Sequence, residues 1–348
     1  MKKDLLKTLC SIALSVLLLS GCKKVTEEEL KLNEPIAGKE GLNQANTNTP
    51  TNQEGSSCRL RTWAVSNGYA ETFRYNRKGL VDEWRFNYPD GFYYDYFITY
   101  EKKDRLLKAR MLFPGDAVDF NFYTDGKHIT RCSGYLESND DLVNDIFYVY
   151  NNKGQMIRLI DVVAGVETRF YYDNKGYNRR SDMYINNELI YTLLLNYDIP
   201  NKNPNLALPG IDFGFPNFIF MATQWDKRWN SSGDWFIYDN GNPIVIASDD
   251  PAQTVIHTGQ GNYATYAKYY DIPSESFYDM TFSYSNCNGN QNANEDEVIP
   301  APSVKGNSPM PVMTRLQKIL QSPSKNKKQQ LLDLKKQLLD QVKARGLK

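Results

Sequence analysis

The sequence predicts an all-β fold: a twisted antiparallel meander of β-hairpins, forming an open barrel or a curved sheet, followed by a C-terminal α-helix. The 348 residues include 24 Tyr, 16 Phe and 5 Trp, and aromatic residues favour strands. A short turn motif recurs at intervals of 22 to 27 residues. The segments between its copies alternate polar and apolar residues, which is the pattern of half-buried strands.

Residues 1–21 have the pattern of a secretory signal peptide. Lysines precede a mostly apolar run from about Ile12 to Leu19, which is too short to span a bilayer comfortably. The run ends in Leu-Ser-Gly-Cys at positions 19–22, which resembles the lipobox of bacterial lipoproteins. The resemblance implies that Cys22 carries acyl chains and anchors the mature protein in a membrane. An ordinary signal peptide with a chance cysteine is the alternative.

The residues after Cys22 bear on the membrane that holds the anchor. Lys23 and Lys24 stand where some bacteria place the aspartate that retains lipoproteins in the inner membrane. The outer membrane is therefore the predicted location, in either leaflet. Residues 24–29 loosely resemble the acidic signal that sends some gut-bacterial lipoproteins to the cell surface, although an acidic solvated linker explains them equally well.

Two segments have the composition of linkers. Residues 22–57 are rich in Asn, Thr, Gln and Glu without aromatics, which predicts a flexible tether. Residues 288–311 combine an Asn-rich stretch with prolines and predict a disordered linker. The segment between them, 58–287, is long enough for one repetitive antiparallel β domain.

The repeat motif has a mechanical explanation. Its clearest copies are Tyr75–Gly79, Tyr150–Gly154 and Tyr172–Gly176. Asn or Asp after the tyrosine can accept bonds from the turn backbone, and glycine three residues later tolerates a positive φ. The tyrosine ends a strand with its ring packed and its hydroxyl near water. In the segment from Tyr94 to Glu101, three tyrosines and an isoleucine fall on one face.

This motif resembles the tyrosine-aspartate (YD) repeat of Rhs-type proteins, whose core is Tyr-Asp-x-x-Gly-Arg-Leu. The whole of 58–287 resembles more closely a family of uncharacterised gut-bacterial lipoproteins with a porin-like β-sheet architecture. Cys58 before the first hairpin and Tyr-Ser-Asn-Cys ending at Cys287 match the start and end of that family. The Gly-Arg-Leu signature is reduced here to Gly-Leu-Val at 79–81. The resemblance implies no catalytic residues.

Cysteine positions suggest one disulfide. Cys58 opens the first strand-like segment and Cys287 closes the last, so a bridge in an oxidising compartment would tie these strands together. The alternative is that both, with Cys132, are buried free thiols.

Residues 312–348 predict a basic amphipathic helical tail. A stripe of Leu331, Leu334, Leu338 and Val342 follows an earlier apolar set, and Pro323 breaks the pattern. Ten basic residues oppose two aspartates in the tail, so the overall charge of zero conceals a basic tail on an acidic body. The tail can dock on the acidic domain, pair with a partner helix or lie on an anionic membrane.

The sequence offers little for catalysis. His128 and His257 have no second His or Cys at ligand spacing, which predicts no metal site. Known hydrolase and phosphate-loop motifs are absent from the sequence, so we expect neither an enzyme nor a cofactor. Acidic pairs at 140–141 and 249–250 could serve glycoside hydrolysis only if they faced each other across a cleft. The balanced charge argues against nucleic acid as a partner.

The expected function is a non-catalytic binding or scaffolding role for a membrane-anchored envelope lipoprotein with a glycan or protein partner. The alternative is a glycan-binding accessory lipoprotein of a polysaccharide uptake system. Trp225, Trp229 and Trp235 are the candidates for stacking on a ligand, because they stand among polar residues. The competing interpretation is a hydrophobic plug that covers an open sheet edge.

Overall fold

A computed structural model of the chain describes residues 58–101, 106–126, 128–196, 232–249, 256–257, 263–285 and 310–345. All of these belong to Thr49–Lys348, one of the two units into which the chain divides. The predicted signal peptide, the tether and nearly all of the 288–311 linker lie outside the described residues.

The described chain before residue 286 is almost entirely β-strand. The strands are β1 (Arg59–Val65), β2 (Ala70–Tyr75), β3 (Val81–Asn87), β4 (Tyr93–Tyr100), β5 (Leu106–Phe113), β6 (Asp116–Thr124), β7 (Ile129–Leu136), β8 (Leu142–Tyr150), β9 (Met156–Asp161), β10 (Val166–Tyr172), β11 (Asn178–Ile185), β12 (Glu188–Asn196), β13 (Ser232–Asp239), β14 (Asn242–Asp249), β15 (Ile256–His257), β16 (Ala264–Asp271) and β17 (Ser276–Ser285).

These strands form a closed antiparallel barrel of 16 strands. Each strand from β1 to β13 pairs with the next, and β14 pairs with β16. The two-residue β15 pairs with β16 beside this ring. After β16 pairs with β17, β17 returns to β1, with Ser285 opposite Arg59 and Met280 opposite Val65. The predicted all-β meander is therefore confirmed, and the ring is closed.

Apolar side chains fill the interior of the barrel. Neighbouring positions on five successive strands bring one buried row together: Phe73, Trp84, Tyr96, Met111 and Val118. Side chains that faced a wide aqueous lumen would be exposed, but each of these is at most 2% exposed. They belong to one apolar cluster that reaches all around the ring. The interior of the described barrel is thus a packed core.

The repeat turns have the geometry that the motif predicts. Asn76 Oδ1 accepts bonds from the backbone N–H groups of Lys78 and Leu80, at 2.9 and 3.1 Å. Asn151 and Asp173 make the same pair of bonds in their own turns. The glycines that close the three turns all have positive φ, 76° to 87°. An Asx side chain and a glycine therefore specify each turn together.

The tyrosine of each motif ties its hairpin to the preceding one. Its hydroxyl donates to a backbone carbonyl 15 to 21 residues earlier in the chain. The four pairs are Tyr75 with Leu60, Tyr100 with Val81, Tyr150 with Ile129, and Tyr172 with Met156. The repeat period thus reflects a repeated hydrogen bond between hairpins.

Two helices follow the barrel, where the sequence predicted one: α1 (Val312–Gln321) and α2 (Lys327–Ala344). Pro323 lies in the break between them, and proline cannot donate the backbone bond that a continuing helix needs.

Alternate turns of an antiparallel ring lie at the same end. The turns after β1, β3, β5, β7, β9, β11, β13 and β16 form one end, which we call the helix-capped end. The turns after β2, β4, β6, β8 and β10, with the first residue of β1 and the last of β17, form the opposite end, which we call the repeat-turn end.

Candidate functional site

The two helices close the helix-capped end. Together they contact the turns around most of its circumference, through buried apolar side chains and through ion pairs. The inward side chains of the helices are almost fully buried: Val312, Leu316, Leu320, Leu331, Leu334, Leu338 and Val342. Burying an aliphatic side chain of this size contributes about 1.5–3 kcal/mol. The apolar stripe predicted in the sequence is the surface that holds the helices on the barrel.

Basic side chains of the helical tail meet acidic side chains of the turns. Because these pairs are largely exposed, each contributes at most about 1 kcal/mol, and together they orient the helices more than they hold them. The pairs are Lys318 with Asp90, Lys325 with Asp141, Lys335 with Glu188, Lys343 with Asp239, and Arg345 with Glu275. The basic tail thus lies on the acidic end of its own barrel.

Glu71 is a buried carboxylate beneath α1. It is 1% exposed and accepts bonds from Tyr69 Oη at 2.6 Å, Trp84 Nε1 at 3.0 Å and Gln317 Nε2 at 3.3 Å. Burial raises the pKa of Glu71 to about 7, although these three hydrogen bonds act in the opposite direction. Glu71 therefore links the barrel wall to α1 through neutral donors.

A second buried charge joins α2 to the β9–β10 turn. Lys327 Nζ lies 3.6 Å from Asp161 Oδ2, and both side chains are at most 1% exposed. Asp161 Oδ1 accepts bonds from the backbone N–H groups of Val163 and Ala164, so it also shapes the turn. Burial lowers the pKa of Lys327, and the attraction of Asp161 only partly offsets that effect. Removing either partner would leave an uncompensated buried charge.

Polar contacts also hold both helices on the barrel. Asp271 Oδ1 accepts a bond from the backbone N–H of Val312 at 2.8 Å, which satisfies a free donor at the first turn of α1. Tyr191 Oη donates to the backbone carbonyl of Leu331 at 3.1 Å, and Tyr88 Oη bonds Gln321. These contacts place both helices at defined positions.

The outer wall of the barrel carries cross-strand ion pairs at mid-strand. Arg85 bonds both carboxylate oxygens of Asp95, at 2.5 and 2.7 Å, and Arg131 bonds both oxygens of Asp145, at 2.6 and 3.0 Å. Glu167 lies between Arg158 and Arg169 on the same wall. This distribution, charged outside and apolar inside, is the reverse of a membrane-spanning porin barrel, which is apolar outside and polar inside.

Aromatic rings accompany these arginines. The Arg131 guanidinium lies 5.5 Å from the ring centre of Tyr123 and 5.2 Å from that of Phe147. Arg180 lies 5.6 Å from the ring of Tyr171. Tyr123 and Tyr171 are 46% and 42% exposed, so the wall presents aromatic surface beside charged groups.

Of the three candidate residues for ligand binding, the structure describes Trp235. Trp235 lies on β13 with its side chain buried in the barrel, at 7% exposure, so its ring offers no open face to an external ligand. Trp225 and Trp229 lie outside the described residues. Polar residues around the tryptophans favoured ligand stacking in the sequence, but strand alternation turns Trp235 inwards.

Cys58 is buried and disulfide-bonded, and its partner lies outside the described residues. Arg59, next to Cys58 in the sequence, pairs with Ser285, and Cys287 follows Ser285 by two positions. The Cys58–Cys287 bridge stays a prediction. Cys22 lies outside the described residues too. Cys132 is a buried free thiol, and burial raises its pKa, which disfavours a reactive thiolate.

Glu71, Asp161 and Lys327 are the residues that the sequence did not reveal. Each occurs in an ordinary polar context, and Lys327 is one of ten basic residues in the tail. The described residues contain no cluster of three or more His, Cys, Asp and Glu side chains that could hold a metal ion. No described helix has both the length and the apolar character needed to cross a membrane.

Comparisons with known proteins concern architecture only. No protein-family model and no curated protein matches the sequence. Among solved structures, a porin-like protein from Bacteroides uniformis has a TM-score of 0.41 and 9% identity, covering 65% of this chain and 97% of that one. A porin-like protein from Bacteroides vulgatus has a TM-score of 0.32 and 8% identity, covering 65% and 98%. Similarity at this level carries no information about function.

Proposed function

We propose that this protein is a membrane-anchored envelope lipoprotein whose barrel has a non-catalytic binding or scaffolding role and is not a channel. The observation that carries this proposal is the distribution of side chains across the wall. Buried aromatic and aliphatic groups fill the interior, ion pairs cover the exterior, and two helices close one end.

Such a wall favours water over lipid. A charged side chain on the lipid face of a barrel costs about 2–4 kcal/mol at the bilayer midplane. The barrel would therefore stand beside a membrane, and a separate anchor would hold it there. Acyl chains on Cys22, with residues 22–57 as a tether, supply that anchor in our proposal.

Two experiments test this proposal. We expect Cys22→Ser to move the full-length protein from the membrane fraction to the soluble fraction and to abolish labelling by a fatty-acid analogue. Cys10→Ser, within the predicted signal peptide, is the matched control and should leave both unchanged. Membrane retention of Cys22→Ser without label would contradict the anchor. Stepwise conductance by the purified protein in a planar bilayer would contradict a packed interior.

Glycan binding is the second candidate, and exposed outer-wall aromatics favour it. Tyr123 and Tyr171 combine open ring surface with neighbouring arginines and carboxylates, a combination that suits sugar rings and hydroxyls. A glycan array with the wild-type protein tests this role. We expect any bound glycan to be lost in Tyr171→Ala but not in Phe277→Ala, an exposed aromatic on another part of the wall. Absence of binding to any glycan would exclude this role.

A further inference from the structure

The repeat-turn end presents exposed basic side chains in three of its repeat turns. Lys153 and Lys175 each stand two residues after the Asx residue of their turns, and their backbone N–H groups bond that residue. Arg77 lies in the equivalent turn between β2 and β3. All three side chains are exposed. Because the Asx-glycine geometry fixes these turns, it also fixes where the positive charges project.

Other charges at this end do not reverse its sign. Arg59 lies with its guanidinium 5.4 Å from the ring of Tyr75 and covers the β2–β3 turn. Asp173 is the acidic residue of its turn, and both of its carboxylate oxygens are hydrogen-bonded. Oδ1 accepts bonds from two backbone N–H groups of the turn, and Oδ2 accepts a bond from Arg179 Nε at 2.8 Å. The remaining described acids at this end are Asp82, Glu101, Asp125 and, at the last position of β14, Asp249. Lys78 adds a further exposed basic residue to the β2–β3 turn.

The two ends of the barrel therefore differ in charge and in covering. At the helix-capped end, acidic turn residues meet the basic helices of the same chain. At the repeat-turn end, basic turn residues project outwards. This end also receives the chain from residues 1–57, because β1 begins there at Arg59. An N-terminal anchor would thus reach the barrel at its basic end.

We propose that the repeat-turn end binds the anionic headgroups of a lipid bilayer. Phosphate groups at the bilayer surface match the projecting ammonium and guanidinium groups, and this attraction acts within about 10 Å at ordinary ionic strength. The interaction would orient the barrel with its helix-capped end away from the membrane. The N-terminal anchor belongs to the proposed function, whereas headgroup binding rests on the described turns and can be tested without acylation.

The test uses the unacylated full chain, Cys22→Ser, in a sedimentation assay with vesicles. One vesicle type contains phosphatidylcholine alone, and the other contains about 30% phosphatidylglycerol to provide an anionic surface. We expect binding only to the anionic vesicles, and loss of that binding at about 0.5 M salt because of screening. The triple variant Arg77→Glu, Lys153→Glu, Lys175→Glu should bind roughly 100-fold more weakly, because each basic residue near an anionic surface contributes about a fivefold effect.

A matched variant at the opposite end separates orientation from net charge. Lys325→Glu, Lys336→Glu, Lys343→Glu changes the charge of the helix-capped end by the same amount, and circular dichroism would establish that both variants fold. We expect this variant to retain most of the vesicle binding. Equal losses in the two variants, equal binding to both vesicle types, or no binding to anionic vesicles would each overturn the proposal. Failure of the Cys22 anchor would leave this result unaffected.

Discussion

Glu71 makes the stability of the barrel depend on pH in an unusual direction. Its pKa is about 7 in the folded protein, against 4.5 for an ordinary glutamate. The folded state therefore binds more protons than the unfolded state between these values. Stability from this group is fully present below about pH 4.5 and is lost as pH rises through 7. A shift of this size corresponds to about 3 kcal/mol at 1.36 kcal/mol per pKa unit.

Glu71→Gln tests this reasoning. Glutamine keeps the shape of the protonated acid but cannot ionise, so the cost of a buried charge at high pH disappears. We expect the free energy of unfolding of the wild type minus that of Glu71→Gln to fall by about 3 kcal/mol between pH 4.5 and pH 8.5. Denaturant titrations at both pH values would measure it, with folding followed by tryptophan fluorescence.

The difference between the two proteins matters more than the pH profile of either one. Ion pairs contribute less to the free energy of unfolding at low pH, where their carboxylates become protonated. This loss is equal in both proteins and cancels in the subtraction. Glu188→Gln, which removes an exposed carboxylate at the same end, controls for the loss of one negative charge. A wild-type minus Glu71→Gln difference that stays constant, or that grows with pH, would refute the account of Glu71.

Four further outcomes follow from the geometry. Lys327→Met leaves its buried carboxylate partner unpaired, so we expect a loss of about 3–5 kcal/mol in denaturant titration. Gly134→Ala places a Cβ 2.6 Å from a Phe ring in the core, and we expect a loss of about 1–3 kcal/mol with a lower melting temperature. Tyr172→Phe removes one hydrogen bond between hairpins and should cost about 1 kcal/mol. Peptide mapping without reduction should recover a fragment that joins Cys58 to Cys287.

Matched variants give each result its meaning. Lys336→Met on the exposed face of α2 and Tyr93→Phe on the outer wall should each change stability by less than about 0.5 kcal/mol. If Lys327→Met behaved like Lys336→Met, the buried pair would not join α2 to the barrel. Unchanged stability in Gly134→Ala would contradict close packing of the interior, and a peptide joining Cys58 to any other cysteine would contradict the expected bridge.

The sequence predicted the parts of the fold that repeat. Each hairpin copy carries its own turn chemistry, so Asn76 and Gly79 specify the same local geometry wherever they recur. Strand alternation also predicted the buried face of β4, including Tyr94 and Tyr96. Local rules of this kind need no knowledge of distant residues.

Closure of the ring and the capping contacts depend on residues far apart in the chain. No local pattern states that β17 returns to β1, or that Lys327 will lie 3.6 Å from Asp161. The opposite charges of the tail and the body indicated docking, but they left partner helices and membranes as alternatives. For Trp235 the sequence left ligand stacking and a buried plug as alternatives, and its place on β13 puts the ring in the core.

Capping of the barrel by its own C-terminal helices is the central claim, and hydrogen exchange tests it most directly. An isolated helix of 18 residues with this composition would be marginal in water and would exchange its amides rapidly. In the full-length protein we expect the amides of α2 to be protected as strongly as those of neighbouring strands, with Leu331, Leu334 and Leu338 slowest. Exchange of α2 at the rate of a free peptide, beside a protected barrel, would contradict the account.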